Sequence, residues 1–333
     1  MVMTATKTIN WGIVGLGKIA NAFAKDLALI PNANLRAVAS RAKQKAKEFA
    51  KEHQAEKAYG SYKKLFKDKS IDIVYIATPH DSHAALSIAA MKAGKAVLCE
   101  KPLAVNKEQV KKMIKTAKKQ KVFMMEAFWS KFNPSVKQSI DLAKSGRIGE
   151  VNYVNVDFCF YKEAPAESRM FNLDLAGGAL LDVGVYPVFL AYSIFGKPKE
   201  ILATSRFHDT GADIQTAAIL KYDKGIANVF CGFASESDTV AKIYGTKGRI
   251  FIDSRWHETQ SYRIIEGSGS EQKQEIKVNP TRGKGFTYEI VECMQCLTEN
   301  KLESDNWSHK NSLELMIILD EIRKQCGLKY PFE

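Results

Sequence analysis

A chain of 333 residues with 45% hydrophobic and 26% charged content has the balance of a globular protein and enough length for two cores. Its net charge of +12 sits at one end, because residues 1–125 hold 24 Lys and Arg against 9 Asp and Glu while the rest holds 25 against 28. These figures exclude a disordered chain and a disulfide framework, and the basic end favours a polyanionic partner, either a nucleic acid or a small phosphorylated cofactor.

Met1 to Asn10 has one lysine and no apolar core, so it is expected to be neither a signal peptide nor a transit sequence. Thr8 to Val14 reads as a short strand, followed at once by Gly15-Leu16-Gly17-Lys18-Ile19-Ala20 and a helical pattern to Ile30 that Pro31 and Asn32 close. Strand, glycine turn and helix form the setting in which G-x-G-x-x-A binds a dinucleotide. Gly15 allows the tight turn, Gly17 lets backbone amides approach a pyrophosphate, and Ala20 takes the third small position where helix meets strand. The helix N-terminus adds partly positive amides. A second strand, Leu35 to Ala39, ends in Ser40-Arg41, where an NAD site carries an acid for the ribose hydroxyls. A hydroxyl and a guanidinium suit a 2′-phosphate, and Lys43 and Lys45 add positive charge, so NADP is expected rather than NAD.

Helices at Lys43 to His53 and near Ser61 to Phe66 lead to a third strand, Ile71 to Ala77. It ends in Thr78-Pro79-His80-Asp81-Ser82-His83, before a helix from Ala84 to Ala93. The two histidines lack a third ligand at suitable spacing, so no metal is expected. Ala77, Thr78, Pro79, His80 and His83 are read as lining the nicotinamide side, with Asp81 or Ser82 capping the helix. The fourth strand, Lys95 to Cys99, stops on Glu100-Lys101-Pro102. Proline bars the α conformation for Lys101 and cannot extend a ladder, which places the lysine at the carboxyl end of a strand, where open parallel sheets bind ligands, and Glu100 and Lys101 are read as cofactor contacts. The lysine-rich run Lys107 to Lys121 has Val110, Met113, Ile114 and Ala117 on its inner face and reads as a solvated helix. No recognition helix or zinc-finger pattern accompanies it, so nucleic acid is not the expected partner. With Val122 to Glu126 as a fifth strand, residues 1–126 form a doubly wound parallel sheet.

From Val151 the pattern changes to strands separated by glycine-containing turns: Val151 to Phe160, Glu200 to Phe207, Ile214 to Tyr222, Gly225 to Gly232, Thr239 to Gly245, Gly248 to Asp253 and Tyr262 to Glu266. These predict a mostly antiparallel sheet in a second domain, residues 127–333. An apolar helix, Leu180 to Phe195, lies between the first two strands. The stretch from Gly177 is interrupted by Asp182, Pro187 and glycines, which fits a packed helix and not a membrane span. Helices at Tyr288 to Leu297 and Ser312 to Cys326 follow the sheet. Six scattered cysteines suit a reducing cytosol, and Cys293-x-x-Cys296 has no second pair or histidine to complete a metal set.

Taken together, Gly15 to Ala20, Glu100-Lys101-Pro102 and Gly177-Gly178-Ala179-Leu180-Leu181-Asp182-Val183-Gly184-Val185-Tyr186 resemble the Gfo/Idh/MocA oxidoreductases in order and spacing over nearly the whole chain. Met125-Glu126-Ala127-Phe128-Trp129 and the tyrosine at 186 are most similar to the branch of dimeric dihydrodiol dehydrogenases and NADP-dependent xylose dehydrogenases. The resemblance implies an N-terminal Rossmann domain that binds NADP and a C-terminal α/β domain with a large open sheet, through which a homodimer forms. It places Lys101 at the family's lysine position, Asp182 at its acidic position and Tyr186 where many members have histidine. Thr78-Pro79-His80 departs from the asparagine common in the wider family. The implied reaction is hydride transfer between the nicotinamide and a secondary alcohol or carbonyl of a sugar, sugar-like or cyclic diol substrate, in a cytoplasmic enzyme.

That chemistry needs a group to exchange the oxygen's proton. A tyrosine, with an ordinary pKa of about 10, becomes usable when a lysine ammonium within roughly 4 to 6 Å lowers it by about 1 to 3 units. Tyr186 is therefore expected as acid and base, Lys101 as its activator, and Asp182, one helical turn earlier, as the group that orients them. Phe128 and Trp129 are expected as aromatic walls for substrate, Arg169 as a ligand for a hydroxyl or carboxylate, and Glu163 to Met170 as a loop over the site. A non-catalytic NADP-binding redox sensor is the alternative, against which the retained Lys101, Asp182 and Tyr186 argue.

Overall fold

The computed structural model describes residues 7–333, so the first six residues of the Met1 to Asn10 segment lie outside the described residues. The chain divides into two compact units, Met1–Trp129 with Arg282–Leu313, and Ser130–Thr281 with Glu314–Glu333. In chain order the first holds β1 (Ile9–Val14), α1 (Lys18–Leu27), β2 (Ala33–Ala39), α2 (Lys43–His53), β3 (Lys57–Tyr59), α3 (Tyr62–Phe66), β4 (Ile73–Ile76), α4 (His83–Lys92), β5 (Ala96–Glu100), α5 (Lys107–Gln120) and β6 (Met124–Ala127). The strands form one parallel sheet in the order β3-β2-β1-β4-β5-β6. Ile73 to Ile76 and Val97 to Cys99 are wholly buried, as expected where helices cover both faces of a parallel sheet.

Six strands stand where five were expected. The additional one, β3, is a three-residue edge paired with Ala37 to Ala39, half-buried and too short to carry a periodic signal. The expected second domain, 127–333, is not one contiguous unit, because Arg282–Leu313 belongs to the first. Asp26 of α1 explains the return. Its buried carboxylate needs donors, and it accepts the backbone amides of Lys284 at 2.8 Å and Phe286 at 2.9 Å. Phe286 in turn stacks on Trp129 at 5.0 Å, and the Met124 amide donates to the Leu302 carbonyl at 3.0 Å.

The second unit contains α6 (Trp129–Phe132) from its second residue, α7 (Pro134–Lys144), β7 (Val151–Cys159), a π-helical segment Leu180–Gly184 that runs into α8 (Val185–Phe195), β8 (Glu200–Phe207), β9 (Asp213–Lys221), β10 (Ile226–Gly232), β11 (Ala241–Gly245), β12 (Gly248–Ile252), β13 (Ser261–Glu266) and β14 (Lys273–Val278). Two further helices follow, α9 (Thr287–Thr298) in the first unit and α10 (His309–Cys326), which passes from the first unit to the second. Asn133 starts α7, its side chain accepting the Ser135 and Val136 amides with Pro134 at the first helical position. The sheet runs β14-β13-β12-β11-β7-β10-β9-β8 and is antiparallel except at the central β7–β10 pair. Seven of its strands match the expected ones. The eighth, β14, is an edge whose apolar residues Ile276 and Val278 face outward, 59% and 64% exposed, so its alternation advertises no core. The stretch Leu173–Phe195 is long and apolar enough to cross a membrane, yet 89% of its most apolar window is buried inside the protein.

Candidate active site

The first unit builds its ligand edge where β1 meets β4, the point at which the strand order reverses. Gly15 has φ +88°, and a Cβ there would lie 2.5 Å from the Ala77 carbonyl oxygen, so both the conformation and the close approach require glycine. At Gly17, which caps α1, a Cβ would meet nothing within 4 Å. That open side, next to the free amides of the α1 N-terminus, is a cradle that fits a dinucleotide pyrophosphate. Leu16 is buried beneath the turn, while Lys18 and Ile19 are exposed on it.

Beyond β2, the Ser40 hydroxyl accepts the Ala42 amide at 3.3 Å, and Arg41 and Lys45 stand exposed. Burial pushes the Asp81 carboxyl pKa up, and the Arg41 charge opposes that rise. At the end of β4 the Ala77 amide donates to Val14, and the loop Thr78-Pro79-His80 follows. Ser82 stands at the N-cap position of α4 as expected, but its hydroxyl makes no capping bond to the helix. Its hydroxyl bonds Thr78 Oγ1 at 2.8 Å and the Pro79 carbonyl at 2.9 Å, closing the loop on itself.

Three expected ligands are turned inward. His83 is wholly buried, with Nε2 2.8 Å from the Thr78 carbonyl and Nδ1 2.9 Å from the Pro102 carbonyl, so its ring supports the loop from beneath. Glu100 is buried at the end of β5, where it accepts the Tyr75 hydroxyl and the Lys101 amide; burial pushes its pKa up to about 7, against the pull of Tyr75 and Lys101. Phe128, expected as a substrate wall, is a core residue with its ring 5.5 Å from that of Trp307. Lys101 itself is half-buried beside the cis Lys101–Pro102 bond, and Trp129 is held flat by Phe286.

The second unit carries the other candidates. Asp182 lies in the π-helical segment, so the regular α spacing expected between it and Tyr186 is replaced by a wider turn, a feature frequent at functional sites. Asp182 Oδ2 lies 3.2 Å from an Arg169 guanidinium nitrogen. Arg169 was expected to meet substrate; here it pairs with Asp182 while 58% of its side chain stays exposed. Tyr186 occupies the first turn of α8 and is 5% exposed, its ring 5.5 Å from Phe158 and 5.3 Å from His257, which stack on each other at 4.1 Å. Phe158 and His257 are absent from the sequence-derived site. They lie on distant strands and loops, and no local spacing links them to Tyr186.

Asp213 anchors the start of this helix. Its buried carboxyl, pushed up to about 6 by burial, accepts the Leu180 amide at 2.8 Å and the Thr216 hydroxyl at 2.7 Å. Asp213→Ala leaves both donors without that acceptor and is expected to lower stability by about 1 to 3 kcal/mol, read as a shifted urea midpoint with unchanged slope.

A six-stranded parallel sheet with a glycine turn at its switch point is the architecture of a dinucleotide-binding Rossmann unit. Residues 9–128 match the oxidoreductase family with an NAD-binding Rossmann fold, and residues 135–251 match the GFO/IDH/MocA C-terminal domain. The chain belongs to the GFO/IDH/MocA oxidoreductase family. It is 36% identical over 331 residues to the trans-1,2-dihydrobenzene-1,2-diol dehydrogenase of Mus musculus, covering 97% of this chain and 98% of that one. The protein of the same name from Homo sapiens is 34% identical over 336 residues, with 97% and 98% covered. Among solved structures, KijD10, a 3-ketoreductase from Actinomadura kijaniata in complex with NADP and TDP-benzene, matches with a TM-score of 0.87 over 96% of this chain and 98% of that one. At 24% identity that likeness is one of fold.

Proposed function

We propose that this enzyme interconverts a secondary alcohol and a carbonyl on a sugar, sugar-like or cyclic diol substrate, with NADP as the preferred nicotinamide cofactor. Tyr186 exchanges the proton of the reacting oxygen, Lys101 favours the phenolate and binds that oxygen, and Asp182 orients them. The bound nicotinamide supplies the hydride acceptor or donor. Residues of the first unit do the holding: the amides after Gly15 and Gly17 meet the pyrophosphate, Ser40, Arg41 and Lys45 meet the 2′-phosphate, and Thr78, Pro79 and His80 border the nicotinamide side. Trp129 and Arg169 are the substrate contacts of this reading. The observation that carries it is the setting of Tyr186, a phenol fixed by two packed rings on the first turn of a buried helix. The diol dehydrogenase relatives support the substrate class. A screen of NADPH oxidation over sugars, ketosugars and cyclic diketones, with the reverse reaction on diols, tests it. NADP binding without turnover on any of them would favour a redox sensor instead.

The cofactor preference has its own test. Arg41 is the only arginine at the end of β2, and bidentate contact with a 2′-phosphate is worth more than a neutral hydrogen bond. Arg41→Ala is expected to raise the Kd for NADPH at least tenfold while changing that for NADH less than threefold. An equal effect on both cofactors refutes the preference.

A homodimer through the open sheet belongs to the same reading. The strand registers align Leu202, Ile219, Asn228, Asn155, Lys242, Phe251, Arg263 and Ile276 in one row across all eight strands. Leu202 and Ile219 in that row are 58% and 45% exposed, an apolar face that a second copy would cover. Light scattering should then give twice the chain mass of 37.2 kDa. Six free thiols support a reducing compartment such as the cytoplasm.

A further inference from the structure

The His83 ring sits between two loops of the first unit that the proposed chemistry uses, the Thr78 loop after β4 and the Lys101-Pro102 turn after β5. Each ring nitrogen faces a backbone carbonyl oxygen, at 2.8 Å toward Thr78 and 2.9 Å toward Pro102. A neutral imidazole has one N–H to donate and one lone pair to accept. A carbonyl only accepts, so a neutral ring satisfies one of these contacts and sets a lone pair against the other, whichever tautomer it takes. An imidazolium satisfies both.

We infer that His83 is a positioning residue, a protonation-dependent clamp that grips both the cofactor-side loop and the Lys101 turn only as the imidazolium and releases one of them when neutral. The inference deepens the proposed function by identifying what holds two parts of its first-unit site together. The groups facing the ring set where the clamp works. Burial and the Lys101 ammonium push the imidazole pKa below its ordinary value, and the two carbonyls pull it back up. His80 lies edge-on at 5.7 Å, and Asp81, on the same short turn, feels the Arg41 charge. The net shift is downward, so the clamp closes fully on the acid side of neutrality and opens as pH rises. If the closed clamp holds the loops in their cofactor-binding arrangement, linkage requires that bound NADP raise the pKa of His83.

The test is a titration of the wild-type protein, labelled with 15N in histidine, between pH 5 and 8.5, with and without saturating NADP. Six histidines give a tractable spectrum, and the His83 signals are those that single substitutions at the other five leave in place. The expected result is a midpoint below the ordinary histidine value, with both ring nitrogens protonated on its acid side and one on its basic side, moving up by at least half a pH unit with NADP. His83→Gln, whose NH2 can donate on one side while its carbonyl oxygen only accepts and neither titrates, should lose the part of the pH dependence of NADP affinity that the 2′-phosphate does not cause. A ring that stays in one protonation state across the range overturns the inference, as does a midpoint unmoved by bound NADP. The titration of the free protein needs neither cofactor nor turnover, so its outcome is separate from that of the substrate screen.

Discussion

Tyr186→Phe is expected to lower kcat at least a hundredfold while leaving the Kd for NADPH within about threefold of wild type. The substitution keeps the ring, and the ring is what Phe158 and His257 pack against, so the side chain retains its place on α8. What disappears is the hydroxyl, the group that exchanges a proton with the reacting oxygen in the proposed reaction. General acid and base catalysis contributes about 10² to 10⁴ in rate, and this is the share at stake. In the proposed function cofactor binding belongs to the Gly15 turn and the Ser40-Arg41 end of β2, both in the other unit, which is why the two readouts separate. Stability should change by no more than about 1 kcal/mol. Turnover close to wild type would remove Tyr186 from the mechanism.

Lys101→Met tests the second half of the proposed catalytic pair. Methionine keeps the length and apolar character of the stem and removes the ammonium, so a fall of at least a hundredfold in kcat/KM is expected if that charge favours the phenolate and binds the reacting oxygen. The same change has a consequence that does not depend on substrate. Burial pushes Glu100 up to about 7, and Lys101 is one of the groups restraining the rise, so the variant carries a still higher Glu100 pKa. A carboxyl whose folded pKa lies above its unfolded value costs stability that accrues as pH rises from the unfolded pKa to the folded one and is complete above it. The variant should therefore match wild type on the acid side of about pH 7, where folded Glu100 is protonated in both, and fall progressively behind it as pH rises above that value. Urea midpoints measured across that range check the sign, and a pH-independent difference would mean that Lys101 and Glu100 do not interact.

The Glu100 result shows how site and scaffold share residues here. A buried acid at the end of β5 is expensive in isolation. It is retained with a tyrosine hydroxyl and a main-chain amide to meet it, directly behind the lysine that the proposed reaction needs. His83 follows the same logic on the neighbouring loop. Both lie in sequence among expected cofactor ligands, and both work from inside the fold.

Much of the molecule is legible in its sequence. Strand, glycine turn and helix at Ile9 to Leu27, the buried runs of β4 and β5, and the stop at Glu100-Lys101-Pro102 are local signals, because a parallel strand covered on both faces must be continuously apolar and a proline leaves little choice to the residue before it. The Gly15 conformation is local in the same sense, set by what a Cβ would strike. The edge strands β3 and β14 were not legible, since their partners supply the ladder and their own residues need no core face. Nor was the return of Arg282–Leu313 to the first unit, which is decided by a carboxylate at Asp26 some 260 positions away that needs the amides of Lys284 and Phe286. Sequence by itself determined which chemical groups the protein owns and the turns that present them. Tertiary structure alone decided which way each one faces: His83, Glu100 and Phe128 inward, Arg169 onto Asp182, and Tyr186 between Phe158 and His257. The physical reason is that burial and hydrogen-bond satisfaction are settled by neighbours far apart in the chain, and no spacing along the chain records them.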